Sequence, residues 1–155
     1  MITVGMFQGP QESGTVAENL KAIAAAARRA ADAGCRILVT PEMSATGYNI
    51  GTEIAARAES ADGPIFQAVR NIARDNGIAV VYGYPEVAEG KPYNSVQVVD
   101  RDGAALANYR KTHLYGFDRE FFTPGADWVA QFELDGVTCG LLICYDIRSE
   151  ERRVG

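Results

Sequence analysis

Three residues of this sequence carry side chains that together could perform nucleophilic catalysis: Glu42, Lys111 and Cys144. Cys144 lies at the end of the apolar run that begins at Val137, which we predict to be a buried strand holding the thiol rigidly. Glu42 and Lys111 also sit just after predicted strands. If these strands run the same way in neighbouring positions, their ends share one edge of the sheet, where open α/β sheets bind ligands. The site would then hold a nucleophile, a base and a cation.

Each of these residues also has a simpler structural interpretation. A cysteine in an apolar strand is most often an inert core residue, which is what we expect of Cys35 and Cys139. Glu42 would then be a solvated loop acid and Lys111 an ordinary surface cation. His113 is the single histidine, so we expect a carboxylate base, no His-based zinc site and no other cofactor. A Cys-His hydrolase that uses His113 is the alternative.

The sequence pattern predicts an α/β protein with a mixed sheet and helices against one face. A capping box at Thr15–Glu18 begins the first helix, and Gly34 ends it. Strand, helix and strand in this order favour a right-handed crossover between parallel strands. We predict strands at 3–8, 36–40, 78–82, 94–99, 104–109, 129–134 and 137–143, helices at 16–33, 52–60 and 64–76, and a loop at 114–127.

Composition limits the classes of partner. The chain has 155 residues, enough for one domain, with 47% apolar and 23% charged residues. Its net charge of −5, without a basic stripe, argues against nucleic acid as a partner. No apolar run is as long as a membrane span, so we expect no membrane partner. Three cysteines without a CxxC pair favour the reducing cytoplasm.

Three separated segments, in order and in register, resemble the signatures of the nitrilase superfamily of carbon–nitrogen hydrolases. They are Pro41–Tyr48, Tyr109–Leu114 and Leu142–Arg148. The resemblance implies an αββα sandwich, of which this chain would hold an incomplete, C-terminally truncated part, and subunits that commonly form homodimers. It also implies a second glutamate in the site, for which Glu120 is the candidate; its alternative is a loop acid.

The resemblance implies hydrolysis of a small amide through a thioester on Cys144. Glu42 would accept the thiol proton and later protonate the departing nitrogen. Lys111 and the backbone N–H of Tyr145 would bind the oxyanion, and Glu120 would orient Lys111 or the substrate nitrogen. Nitriles and N-carbamoyl compounds are alternative substrates. A non-catalytic binding module on the same fold, with Cys144 as a core residue, is the alternative to an enzyme.

The last residues do not fit the resemblance. The peptide from Arg148 to Gly155 corresponds to a sequencing adapter translated in one frame, so we predict that 1–148 is native domain and 149–155 is not. An interior strand would then lack its neighbours. We accordingly expect the fragment itself to be poorly soluble and inactive, whereas its full-length parent would be an amidase.

Overall fold

The computed structural model describes residues 1–9, 14–127 and 129–148. The predicted non-native tail at 149–155 lies outside these residues. The described chain forms seven strands, four α-helices and one 3₁₀-helix: β1 (Val4–Met6), α1 (Val16–Asp32), β2 (Ile37–Val39), α2 (Glu53–Ala56), α3 (Pro64–Asn76), β3 (Ala79–Glu86), β4 (Tyr93–Val99), β5 (Ala105–Arg110), α4 (Asp118–Phe121), β6 (Ala130–Leu134), β7 (Val137–Leu141) and the 3₁₀-helix Cys144–Arg148.

Local sequence signals determine where the two long helices begin and end. The Thr15 hydroxyl accepts the Glu18 N–H, and the Glu18 carboxylate accepts the Thr15 N–H at 2.8 Å, so the predicted capping box at the start of α1 is confirmed. Pro64 is the first residue of α3, and Gly77 ends it in the left-handed conformation.

The large sheet has the strand order β1-β2-β3-β4-β5. Strands β1, β2 and β3 are parallel, while β4 is antiparallel to both of its neighbours. The predicted mixed sheet, the parallel crossover through α1 and the β4–β5 hairpin are therefore confirmed. Because β4 reverses the direction once and β5 reverses it again, β2, β3 and β5 all run the same way.

The core lies on both faces of this sheet. Helices α1 and α3 pack on one face, with Ile23, Val69 and Val80 among the fully buried side chains. The β6–β7 hairpin forms a second, antiparallel sheet that packs on the other face through Phe132 and Leu134. The described residues thus form three layers, helix on sheet on sheet, of the predicted αββα sandwich. No helix in the described ranges is long and apolar enough to cross a bilayer.

Four sequence predictions differ from the structure. Strand β7 is not a buried run: Val137 is 46% exposed, and only Leu141 at its end is buried, because in the described chain β7 pairs with β6 alone. The predicted third strand continues as far as Glu86, because β4 pairs with it along that whole length. The helix predicted at 52–60 is only the single turn α2, and the predicted loop at 114–127 contains the turn α4.

Candidate active site

Glu42 lies in a tight loop that follows β2 and crosses over β3 at Gly83. The N–H of Ala45 donates to the carbonyl of Gly83 at 3.0 Å, and Met43 has a left-handed φ of 56°. A Cβ at position 83 would be only 2.3 Å from the backbone nitrogen of Met43. Glycine is therefore required at this position for the loop to bring Glu42 over the sheet.

Lys111 follows β5 directly and is held by its backbone on both sides. Its N–H donates to the carbonyl of Asn94 at 2.8 Å, and its own carbonyl accepts the N–H of Gly125 at 2.8 Å. Its fully buried ammonium donates to Glu42 Oε1 at 2.8 Å and to Asp118 Oδ2 at 2.6 Å. Burial opposes the charge, but the hydrogen bonds that the ammonium donates to Asp118 and Glu42, with their negative charges, outweigh burial and raise the pKa of Lys111.

Asp118, at the start of α4, is the acidic residue that the sequence analysis missed. Its buried carboxylate also accepts the Tyr48 hydroxyl at 2.7 Å and the Tyr115 N–H at 3.3 Å. Burial, together with this hydrogen bond to Asp118, raises the pKa of Tyr48. Asp118 therefore holds the Lys111 ammonium together with Glu42.

Glu120 does not occupy this position. Its side chain is exposed, whereas Asp118, two residues earlier, contacts Lys111. Residues i and i+2 of a helical turn point in different directions, so one turn can direct only one of these two acids at the ammonium. The prediction that Glu120 orients Lys111 thus differs from the observed contact. A signal was present in the sequence, because Asp118 is the first acidic residue after Lys111.

Cys144 begins the 3₁₀-helix that follows β7 and has a left-handed φ of 48°. This conformation is uncommon for a non-glycine residue and is typical of functional sites. Burial and the negative charge of Glu42 raise the pKa of its thiol, whereas the charge of Lys111 lowers it. Glu42 and Cys144 line the same cavity between the two sheets, and Tyr145 is the next residue of the 3₁₀-helix.

Asp146 holds this turn against the segment that carries Lys111. Its fully buried carboxylate accepts the Ile143 N–H at 3.1 Å, and its own N–H donates to the Ile143 carbonyl at 3.1 Å. These two bonds close the chain around Cys144. The same carboxylate accepts the Tyr109 hydroxyl at 2.9 Å, and Tyr109 lies two residues before Lys111.

The structure thus brings Glu42, Lys111, Cys144 and the N–H of Tyr145 together at one end of the molecule. The sequence analysis supposed that the three strands are neighbours, but they are not. Strands β3 and β4 separate β2 from β5, and β7 belongs to the other sheet. The site forms where the two sheets meet. The alternative base, His113, donates its backbone N–H to Asp146 Oδ1 at 2.9 Å.

A cavity of about 610 Å³ lies between the two sheets and reaches this site. Apolar strand residues line most of it, and Glu42, Asn94 and Cys144 lie on its wall. The other two cysteines, Cys35 and Cys139, are partly buried. Within the described ranges, no three His, Cys, Asp or Glu side chains are arranged to bind a metal ion.

Comparison with known proteins identifies relatives that are similar to this chain over most of its length. The carbon–nitrogen hydrolase family model matches residues 3–154. The hydrolase encoded in the pqqF 5′ region of Pseudomonas protegens is 46% identical over 151 residues, which are 96% of this chain and 52% of that protein. An (R)-stereoselective amidase from a Pseudomonas species is 42% identical over 74% of this chain and 41% of its own length.

A solved structure has the same fold. The NitN amidase from Nesterenkonia sp. AN1 superposes with a TM-score of 0.87 at 31% identity, over 97% of this chain and 60% of that one. A cysteine-to-alanine variant of the Nesterenkonia amidase has been solved with butyramide, and a glutamate-to-glutamine variant shows acrylamide added to the active-site cysteine. The present chain spans between about two fifths and three fifths of the length of these relatives. It belongs to the carbon–nitrogen hydrolase family.

Proposed function

We propose that the whole protein carrying this sequence is an amidase that cleaves the C–N bond of a small amide through a thioester on Cys144. The observation that carries this proposal is the Lys111 ammonium, buried between the carboxylates of Glu42 and Asp118. Glu42 in turn lines the same cavity as Cys144, whose thiol lies in a left-handed turn. A buried cation in this place has a chemical use, because an amide carbonyl is a poor electrophile whose attack produces an oxyanion.

The first half of the reaction forms the thioester. The thiol proton of Cys144 passes to Glu42, and the sulfur electron pair forms a bond to the amide carbon. The carbonyl π pair moves to oxygen and gives the tetrahedral oxyanion. When this intermediate collapses, the C–N bond breaks, and Glu42 returns the proton to the nitrogen, which leaves as ammonia or an amine.

Lys111 and the N–H of Tyr145 bind the oxyanion. An ammonium has three N–H donors, and the contacts in the described chain use two of those on Lys111, for Glu42 and Asp118. The third is available to the developing negative charge. One such donor is worth roughly 3–4 kcal/mol of transition-state stabilisation in comparable sites. Asp118 keeps the ammonium charged and fixed in place.

The second half hydrolyses the thioester. Glu42 removes a proton from a water molecule, the hydroxide oxygen attacks the thioester carbon, and the thiolate of Cys144 leaves and regains a proton from Glu42. An interaction between Glu120 and the substrate nitrogen stays a prediction. So does homodimer formation by the whole protein.

Ammonia release from butyramide tests the proposal directly. We expect the whole protein to release ammonia, and Cys144→Ala and Glu42→Gln to abolish the release, while His113→Ala retains it at a reduced rate. Equal losses in Cys144→Ala and His113→Ala would instead support a Cys-His hydrolase. Release from butyronitrile but not from butyramide would support a nitrilase, and no release from either would refute the amidase.

A second assay separates an enzyme from a non-catalytic module. We expect iodoacetamide at neutral pH to modify Cys144 faster than Cys35 and Cys139, which are partly buried. We also expect Glu42→Gln to slow this modification: the variant loses the negative charge that raises the thiol pKa, but the loss of the base that accepts the thiol proton has the larger effect. Equal, slow modification of all three cysteines would favour the binding module.

A further inference from the structure

Asn94, on β4, contacts two of the three proposed catalytic residues, although the mechanism above gives it no role. Its side-chain amide donates to Glu42 Oε1 at 2.6 Å, and its backbone carbonyl accepts the N–H of Lys111 at 2.8 Å. The residue is only 1% exposed. A buried carboxamide thus joins the proposed base to the proposed oxyanion cation through one residue.

The orientation of this amide is determined by its neighbours. Glu42 Oε1 also accepts a hydrogen bond from the Lys111 ammonium, so it acts as an acceptor and Asn94 must turn its NH₂ group towards it. The other end of the amide, Oδ1, is then buried without a hydrogen-bond partner in the described chain. Unpaired buried oxygens are unfavourable and rare in native proteins. Asn94 thus keeps its hydrogen bond to Glu42 although its own Oδ1 is left without a partner in the described chain.

The two oxygens of Glu42 are consequently in different environments. Oε1 has two acceptor positions, and the donors from Lys111 and Asn94 fill both. No hydrogen bond within the described residues uses Oε2, and Glu42 and Cys144 line the same cavity, so Oε2 is the oxygen available to the thiol. An oxygen that already accepts two strong hydrogen bonds is the weaker base of the pair.

We propose that Asn94 is a positioning residue that, with Lys111, saturates Glu42 Oε1 and so makes Oε2 the oxygen that accepts the Cys144 proton. In this step the S–H bond breaks, an O–H bond forms at Oε2, and the electron pair stays on sulfur. The proton then leaves from the same oxygen to the departing nitrogen. This inference rests on the proposed amidase function.

The variant Asn94→Leu tests it, because leucine lacks both the donor and the unpaired oxygen. We expect kcat for butyramide to fall at least tenfold with KM changed less than twofold, because the loss affects proton transfer. We also expect the urea midpoint of unfolding to stay the same or rise, because no buried oxygen is left unpaired. A structural asparagine would give the opposite pattern, with a lower midpoint and an unchanged kcat, and that result would overturn the proposal.

Gln97 provides the matched control, since it is a second buried carboxamide on β4. It accepts the Tyr82 hydroxyl and donates to the Ala61 carbonyl at 3.1 Å, and it contacts none of the proposed catalytic residues. Gln97→Leu leaves the Tyr82 hydroxyl without this acceptor. We expect it to lower the urea midpoint and to leave kcat within twofold.

A second variant, Asn94→Asp, keeps the shape and makes the donor depend on pH. A carboxyl group at position 94 donates to Glu42 only when protonated, and the charges that face it are those of Glu42 and Lys111. We expect its activity relative to the parent to rise as the pH falls. A constant ratio across pH would overturn the proposal. Cys144→Ala distinguishes the two hypotheses: if it is inactive while Asn94→Leu is fully active, the amidase survives and the role of Asn94 does not.

Discussion

Replacing Gly83 with alanine tests how the fold positions the proposed base. The added Cβ would lie 2.3 Å from the backbone nitrogen of Met43 and 3.2 Å from the carbonyl carbon of Glu42. An ordinary contact needs about 3.5 Å, so the loop must move away from β3 by about 1 Å. These neighbours are backbone atoms, which cannot avoid the contact by changing a rotamer.

A displacement of this size affects activity more than stability. It would lengthen the bonds from Lys111 and Asn94 to Glu42, now 2.8 and 2.6 Å, beyond hydrogen-bonding range. Misplacement of a catalytic group by 1 Å costs on the order of 10²-fold in rate. Overpacking at a tight site costs about 1–3 kcal/mol of stability. We therefore expect Gly83→Ala to remain folded and to lose about two orders of magnitude in kcat/KM.

The assay is ammonia release from butyramide, with urea unfolding measured on the same samples. Gly140→Ala is the control, since a Cβ at that position, on β7 and near Cys144, would meet no atom within 4 Å. We expect it to match the parent in both measurements. A folded Gly83→Ala protein with a rate within twofold of the parent would refute the argument that this glycine positions Glu42.

Three further predictions concern the turn that carries Cys144 and the end of the sheets opposite the candidate site. The two carboxylate oxygens of Asp146 accept the Ile143 N–H, the Tyr109 hydroxyl and the His113 N–H, and Asp146→Asn replaces one of them with an NH₂ group. We therefore expect iodoacetamide to modify Cys144 at least tenfold more slowly in this variant, and an unchanged rate would contradict this role. The folded state raises the pKa of the Cys144 thiol, so above about pH 8.5 it retains a proton that the unfolded chain has lost, and the free energy of unfolding should fall as the pH rises. Urea unfolding at several pH values measures this slope, and Cys144→Ala should lack the part due to the thiol. Arg36 joins Asp100 at 2.8 Å to Asp135 at 2.6 Å, so Arg36→Met should lower the unfolding free energy by about 1–3 kcal/mol and leave Cys144 modification unchanged.

Much of the fold follows from short-range signals in the sequence. The capping box at Thr15, the proline at the start of α3 and the glycine at its end are local features, and each lies where the sequence predicts it. The meeting of Glu42 and Lys111 was also predictable, because both follow strands that run the same way. Signals of this kind depend on the residue and its immediate neighbours.

Features that depend on distant contacts were not predictable. The choice of Asp118 rather than Glu120 depends on the rotation of the single turn α4 relative to the Lys111 ammonium. Burial of β7 depends on which strands lie beside it, and its apolar composition alone suggested a fully buried strand. The left-handed conformation of Cys144 lies in a turn where the Asp146 carboxylate bonds both Ile143 and the distant His113 backbone N–H, and the sequence does not reveal these contacts.

The division of the site between two sheets has a consequence for folding. The β6–β7 hairpin that leads to Cys144 is a local structure closed by the turn at Asp135, whereas Lys111 and Glu42 are 69 residues apart. Short loops close in far less time than contacts across such separations form. We therefore expect a refolding chain to form the β6–β7 hairpin early. Cys144 would meet Glu42 and Lys111 only when the two sheets dock at the end of folding. The reactivity of this one thiol would then report when folding is complete.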